Sequence, residues 1–397
     1  MSLIEEKPVG RAILTREKEI VGTRHPWIYA GFVQRVSGDP KAGDLIDLHL
    51  QNGRFYARGF FNPDSKIRVR ILSFNDTPVT PGFWRERIAQ ADRLRRRIVS
   101  GTNAYRVIYG EADLLPGLIV DRYDDVLVMQ TLSAGMDRRK DLLAGMLCDV
   151  CGVTRIYMRN DAKSRMLEGL PLETGFVRGS GSTTVEVHEG PARFVVNVSE
   201  GQKTGWFCDQ RENRMVAARI VAGAHVLEGF CHTGAFGIHA ALEGASSVTG
   251  IDVSAEALSL ARRHAAMNGV ETRCSYHQGD AFEEMRRMNR EGERYDVVFL
   301  DPPAFARSKQ AVPKALAGYK DVNLLGIRLT KPDGILVTSS CSHHVSEEAF
   351  KNAIYKAAYD AKRQLKLLEL RGQGRDHPIL PEMPETRYLK CLLFHVA

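Results

Sequence analysis

Long apolar runs are missing from this 397-residue chain: none reaches the roughly 18 residues that a membrane-spanning helix needs. The opening Met1-Ser2-Leu3-Ile4-Glu5-Glu6-Lys7 lacks the basic-then-apolar order of a secretory leader, so the expected location is cytoplasmic. Cysteine is scarce and odd in number: the seven residues at 148, 151, 208, 231, 274, 341 and 391 are scattered, which argues against a disulfide framework. The one C-x-x-C, Cys148 and Cys151, lacks a second pair or histidines at ligand spacing and continues a helical run from Leu142 to Leu147, so no metal is expected. Internal repeats are missing too, as is any Pro/Gly excess that would mark a fibrous or disordered chain.

What is present is globular: 44% hydrophobic and 26% charged residues in a chain long enough for two or three domains. Lys plus Arg exceed Asp plus Glu, 55 against 48, for a net charge of +7, a modest field that favours a polyanionic partner such as nucleic acid. Three regimes follow one another. From about 10 to 75, short Gly-punctuated strands (Trp27 to Val33, Gly43 to Leu48, Phe55 to Phe60, Ile67 to Leu72) read as a small β-barrel. Thr77-Pro78-Val79-Thr80-Pro81-Gly82 reads as a linker before an Arg-dense helix from Phe83 to about Ser100, whose Arg85, Arg87, Arg93, Arg95, Arg96 and Arg97 are expected to add phosphate contacts. A mixed α and β region to about 190 contains a hairpin turning at Asp124-Asp125. From about 192, apolar strands alternate with helical patterns, which predicts a mostly parallel doubly wound sheet with its ligand at the carboxyl ends of the strands.

Five strand ends carry chemistry. Glu228-Gly229-Phe230-Cys231-His232-Thr233-Gly234 follows one strand and Asp252 ends the next; a close backbone turn and an acid for ribose hydroxyls belong at those places. The glycines do not spell G-x-G-x-x-G, which disfavours NAD. Gly279-Asp280-Ala281, where an adenine could be held, and the rigid Asp301-Pro302-Pro303, which suits a flat base beside a methyl donor, favour S-adenosylmethionine. Cys341, in Ser339-Ser340-Cys341-Ser342 at a further strand end, has the placement of a nucleophile. Methylating carbon-5 of a pyrimidine needs transient thiolate addition at carbon-6. His343, His344 or the start of a helix near Ser346 are candidates to lower its pKa. Cys231 reads as a packing residue of the cofactor turn.

At these residues the chain resembles the class I methyltransferases that form 5-methylcytosine in large-subunit ribosomal RNA, the RlmI-like proteins. The likeness runs over essentially the whole chain. It is carried further by Arg24-His25-Pro26-Trp27-Ile28-Tyr29-Ala30-Gly31, by Gly110-Glu111-Ala112-Asp113-Leu114-Leu115-Pro116-Gly117 and by Gly201-Gln202-Lys203-Thr204-Gly205-Trp206-Phe207-Cys208-Asp209-Gln210-Arg211. The resemblance implies a PUA-like RNA-binding barrel over 1–78, a central α+β domain over 79–190 and a Rossmann-like methyltransferase domain over 191–397. By position it puts S-adenosylmethionine on Phe230, Thr233, Gly234, Asp252, Asp280 and Asp301, with Lys203, Asp209 and Arg211 lining the site. It makes Cys341 the nucleophile, with Asp301 beside it. Large-subunit ribosomal RNA or its assembly intermediate is the implied partner, with no membrane and with a homodimer left open. Two readings compete with it: methylation of an exocyclic amine, with Cys341 a bystander, and a non-catalytic RNA-binding assembly factor.

Overall fold

The computed structural model describes residues 5–397; Met1 to Ile4, part of the N-terminal stretch read for a leader, lie outside the described residues. Two compact units are present. The first holds the chain through Val187 with Val196–Cys208 and Arg375–Thr386, the second His188–Val195, Asp209–Gly374 and Arg387–Ala397. Among the described residues no helix is long and apolar enough to cross a membrane.

In the first unit, a six-stranded sheet runs in the order Trp27–Tyr29, Ile67–Ser73, Phe55–Phe61, Leu45–His49, Gly10–Leu14, Val33–Gly38. Side chains alternate across it: Ala12 and Leu14 join Ile46, Leu48, Ala57, Val69 and Ile71 inside, while Arg11 faces out. A five-stranded sheet runs Glu173–Arg178, Arg155–Asn160, Val126–Thr131, Leu118–Tyr123, Ala104–Tyr109. The hairpin read at Asp124-Asp125 is there, with Tyr123 opposite Val126 and Asp124 at φ 54°, as a two-residue turn requires.

The helix is there but runs Pro81–Ile98, starting two residues before Phe83: Pro81 opens it and the Thr80 side chain accepts from the Phe83 N–H at 3.2 Å. Two expectations about this region are corrected. Thr77 to Gly82 is a packed joint rather than a free linker, because Val79 is buried in one core with Leu45, Phe60, Trp84, Ile88, Val107 and Leu118 from both sheets and the helix. Nor is the helix an open stripe of arginines. Arg95 is wholly buried, donating to Asp113 Oδ2 at 2.8 Å and to the Asp376 carbonyl at 2.9 Å. Arg85 pairs with Asp149, Arg93 with Glu86 and Arg96 with Asp92, and Arg87 donates to the Leu114 carbonyl. Arg97 stays exposed. Glu86 and Asp92 lie on the helix itself, whereas Asp149 and Asp113 are brought to it by tertiary structure, which sequence alone cannot see.

The second unit is built on a seven-stranded sheet. Its strands are β1 His225–Gly229, β2 Ser247–Asp252, β3 Cys274–Gln278, β4 Tyr295–Leu300, β5 Thr330–Ser340, β6 Leu365–Arg371 and β7 Lys390–Val396. Its helices are α1 Arg211–Ala218, α2 Ala235–Leu242, α3 Ala255–Met267, α4 Ala281–Arg290, α5 Val312–Leu329 and α6 Glu347–Ala361. The order is β3-β2-β1-β4-β5-β7-β6, with β7 antiparallel to β5 and β6 and the first five strands parallel. Both faces are covered, so the strands read as continuous apolar runs. Leu227, Val298, Leu300 and Leu336 pack on one side with Met285, Tyr319 and Phe350; Val226, Val297, Phe299 and Val337 pack on the other with Phe236, Leu258 and Ala261. Ser254, Asp280 and Ser346 cap α3, α4 and α6 with their side chains, each accepting an N–H of the first turn. The chain order reverses between β1 and β4, where Gly229 lies beside Leu300; ligands of such sheets bind outside the carboxyl ends at that switch point.

Candidate active site

The turn between β1 and α2 is strained and well held. Phe230 and His232 lie at φ 62° and 50°, a region that non-glycine residues rarely adopt and that clusters at functional sites. The Cys231 N–H donates to the Ile251 carbonyl at 2.9 Å, the His232 N–H to Asp252 Oδ2 at 2.9 Å and the Gly234 N–H to the Cys231 carbonyl at 2.8 Å. Gly234, at φ 76°, could carry no side chain: a Cβ there would meet Tyr276 Oη at 2.7 Å. Behind the turn Glu228 accepts from the N–H groups of Phe236 at 3.1 Å and Gly237 at 3.0 Å, at the start of α2. Burial pushes its carboxyl up to about 8, against those two donors.

Around this turn stand most of the residues the sequence singled out. Thr233 is buried, and Phe230 and Asp252 are half-buried. Asp252 Oδ2 takes His232 and Oδ1 takes the Ser254 N–H at 3.0 Å; each oxygen has a second lone pair, so the carboxylate fits a ribose diol. Asp280 is exposed at the end of β3 and spends Oδ1 on the Glu283 N–H at 3.1 Å. Asp301, directly after β4, accepts from Gln210 Nε2 at 2.9 Å. Asp209 is buried and accepts from the Tyr388 hydroxyl at 2.5 Å, and Arg211 is buried as the first residue of α1. Lys203 lies in the first unit, at φ 55°, with its ammonium 4.7 Å from the Phe207 ring centroid.

Cys341 follows β5, the neighbour of β4, with Leu300 in register with Thr338. Ser342 ties the two strand ends together: its Oγ accepts from the Ala306 N–H at 3.2 Å, just past Asp301-Pro302-Pro303, and bonds the Tyr319 hydroxyl at 2.8 Å. Cys341 is half-buried, whereas burial pushes the thiols of Cys151 and Cys391 up to about 12 and that of Cys274 up to about 11, and raises Cys231 further. Those four stay protonated at neutral pH. Cys151 packs in the core of the first unit, as expected of a structural C-x-x-C helix.

Three features of this edge escaped the sequence reading. An aromatic ladder runs along it, Phe230 to Phe282 at 5.8 Å, Phe282 to Phe305 at 6.1 Å and Phe305 to Tyr319 at 4.6 Å between ring centroids. Phe282 directly follows Gly279-Asp280-Ala281 and Phe305 stands two residues after Asp301-Pro302-Pro303, a signal that could have found them. Glu228 was read as part of the turn and not as a buried acid. Lys390, at the start of β7, meets the Cys341 loop only because β7 returns antiparallel beside β5, which no local pattern announces.

A PUA-like domain family matches residues 12–74 and a methyltransferase domain family matches residues 220–382. The fold is shared with the crystal structure of SMU.776, a methyltransferase complexed with SAH, at a TM-score of 0.84 and 19% identity over 97% of this chain and 99% of that one. It is shared as well with a SAM-dependent methyltransferase from Streptococcus mutans, at a TM-score of 0.82 and 18% identity over 97% and 99%. Together with the sheet order and its loaded carboxyl edge, these matches define a class I methyltransferase that carries a PUA-like domain and uses S-adenosylmethionine. A curated relative from Shewanella denitrificans, named ribosomal RNA large subunit methyltransferase I, is 40% identical over 94% of this chain and 96% of its own length. One of the same name from Shewanella amazonensis is 39% identical over 96% and 97%. The chain belongs to the ribosomal RNA large subunit methyltransferase I family.

Proposed function

We propose that this protein methylates carbon-5 of a cytosine in large-subunit ribosomal RNA through a transient covalent adduct with Cys341. The RNA substrate is inferred from the name its relatives carry, and the chemistry from the tie between the Cys341 loop and the Asp301-Pro302-Pro303 loop through Ser342, the observation that carries the reading. The bound cofactor supplies an electrophilic methyl group. Cys341 supplies what cytosine lacks: its thiolate adds to carbon-6, the carbon-5 to carbon-6 double bond opens, and the electron pair moves to carbon-5, which becomes nucleophilic. The carbon-5 electron pair takes the methyl group as its bond to the sulfonium breaks, and a base, water at this edge, then takes the carbon-5 proton, whose electron pair restores the double bond and expels the thiolate. Asp301 and the two prolines after it hold the base flat, and Phe230, Thr233, Gly234, Asp252 and Asp280 hold the cofactor, with Asp209 and Arg211 completing its surroundings. The base must leave its stack to reach this edge, at a few kcal/mol and least in unfolded or partly assembled RNA, so free or partly folded RNA is the better substrate.

The test is Cys341→Ala. The variant is expected to bind cofactor and RNA as the wild type does and to lose turnover, and RNA containing 5-fluorocytosine is expected to trap a covalent adduct with the wild type only. A product methylated on nitrogen, or an active Cys341→Ala enzyme, overturns the covalent mechanism.

A further inference from the structure

Lys390 is the first residue of β7 and stands opposite Ser340 across the β5–β7 pair, so the returning strand sets it beside the loop that begins with Cys341. Its side chain is buried, at 5% exposure. Its ammonium donates to the carbonyls of Ser342 at 2.7 Å and Val345 at 2.8 Å. Both acceptors are neutral, and among the described residues no carboxylate pairs with this lysine. A buried cation without a counter-ion is costly, and burial drives its pKa down to about 8. The charged and titratable groups it senses are few. Arg387 pushes the pKa further down and Glu347 pulls it up, but these two are ion-paired with each other. The remaining group is Cys341, whose negative form favours the ammonium. Cys341 in turn also faces the Tyr319 hydroxyl, which is held neutral by burial. Of the histidines that the sequence offered for the task, His343 is exposed and stacks on Tyr388 at 4.9 Å between ring centroids, and His344 is exposed.

We propose that Lys390 is the positioning residue of Cys341: its ammonium is the resident counter-charge of the thiolate, and its two hydrogen bonds hold the Ser342–Val345 loop so that the sulfur stays at the edge of the sheet. The role deepens the nucleophile assignment and rests on it. A like-placed cation lowers a thiol pKa from its free value of about 8.5 by a unit or more, which raises the reactive fraction at neutral pH.

The readout is alkylation of Cys341 by iodoacetamide in the full-length protein without RNA, followed peptide by peptide across pH. Wild type is expected to titrate below about 8.5. Lys390→Met is expected to slow alkylation at pH 7 about tenfold, one pKa unit, and Lys390→Arg, which keeps the charge, to remain near wild type. A Lys390→Met protein alkylated like wild type overturns the proposal. So does a Lys390→Arg protein as slow as Lys390→Met, which would leave loop geometry alone as the cause. Should Lys390→Met not fold, the wild-type profile decides, since a Cys341 pKa at or above about 8.5 overturns the counter-charge. The alkylation arm needs no turnover, so an active Cys341→Ala enzyme would defeat the nucleophile assignment and leave the thiol measurement standing.

Discussion

A carboxyl group 3% exposed with no cation bonded to it is a pH-dependent element of stability, and Glu228 is such a group. Burial is the largest cause of its raised pKa, near 8, and the nearby charge of Asp301 adds to it, while the two amide donors and Arg214 pull the other way. In the unfolded chain the same group ionises near its free value of about 4.3. Between those two values the folded protein holds a proton that the unfolded chain has lost, so the contribution of Glu228 is full below about pH 4 and is lost as pH rises through 8. Glu228→Gln cannot ionise and keeps an oxygen for one of the two N–H groups of α2, which bond different oxygens of Glu228. Urea denaturation at a series of pH values is therefore expected to show wild type losing stability relative to Glu228→Gln between pH 5 and 8.5; parallel curves would mean that Glu228 is ionised throughout. Glu189 shows the opposite balance. Burial would raise it too, but the Arg214 guanidinium and His239 hold its carboxyl well below the usual range. Nothing local in the sequence separates these two glutamates, nor buried Arg95 from its exposed neighbour Arg97, because the deciding partner in each case is far along the chain.

Elements with strong local signals are the ones that sequence located best. The alternation of apolar strands and helical patterns read from about 192 is there, and α3 and β4 show why: an N-cap Ser254 opens Ala255–Met267 and a run of β-branched and aromatic residues makes up Tyr295–Leu300. The stretch from Thr77 to Gly82 carried equally strong turn residues and misled, because proline and threonine mark a helix start as readily as a linker and only packing reveals that Val79 is buried. Asp252 joins two elements: one oxygen fastens the turn after β1 and the other the start of α3. Asp252→Ala is thus expected to weaken cofactor binding by about 1.5–3 kcal/mol, the worth of hydrogen bonds to a charged group, and to lower the melting temperature as well. Asp252→Asn retains one acceptor, and so one of the two fastenings, and is expected to lose about half as much affinity and about half as much melting temperature. Calorimetric titration with S-adenosylmethionine and a thermal scan separate the two losses, and an unchanged affinity in both variants would remove Asp252 from the cofactor site.

For the whole molecule, the net charge of +7 says little until the charges already spent are set aside. The Arg-dense helix is largely neutralised by its own partners. On the PUA-like sheet the situation differs. Arg11 and Arg35 are exposed, Arg11 lies opposite Ser37 and Arg35 opposite Ile13, so the two are diagonal neighbours on the outer face of one strand pair. Neither enters an ion pair among the described residues. Two unpaired guanidinium groups at that spacing suit adjacent phosphates of an RNA strand. Deleting the barrel would be a poor test of this contact, since Leu45, Phe60, Leu72 and Val79 would leave the core they share with Trp84 and Ile88, and the rest of that unit would lose its packing. Replacing both arginines with alanine removes charge without touching the core. Each lost phosphate contact flattens the dependence of log affinity on log salt by about 0.7 for a single strand. The double variant Arg11→Ala/Arg35→Ala is accordingly expected to reduce that slope by about 1.4 and to weaken RNA binding most at low salt. Its affinity for S-adenosylmethionine and its melting temperature should match wild type. An RNA-binding slope identical to that of wild type would place the phosphate contacts elsewhere on the chain.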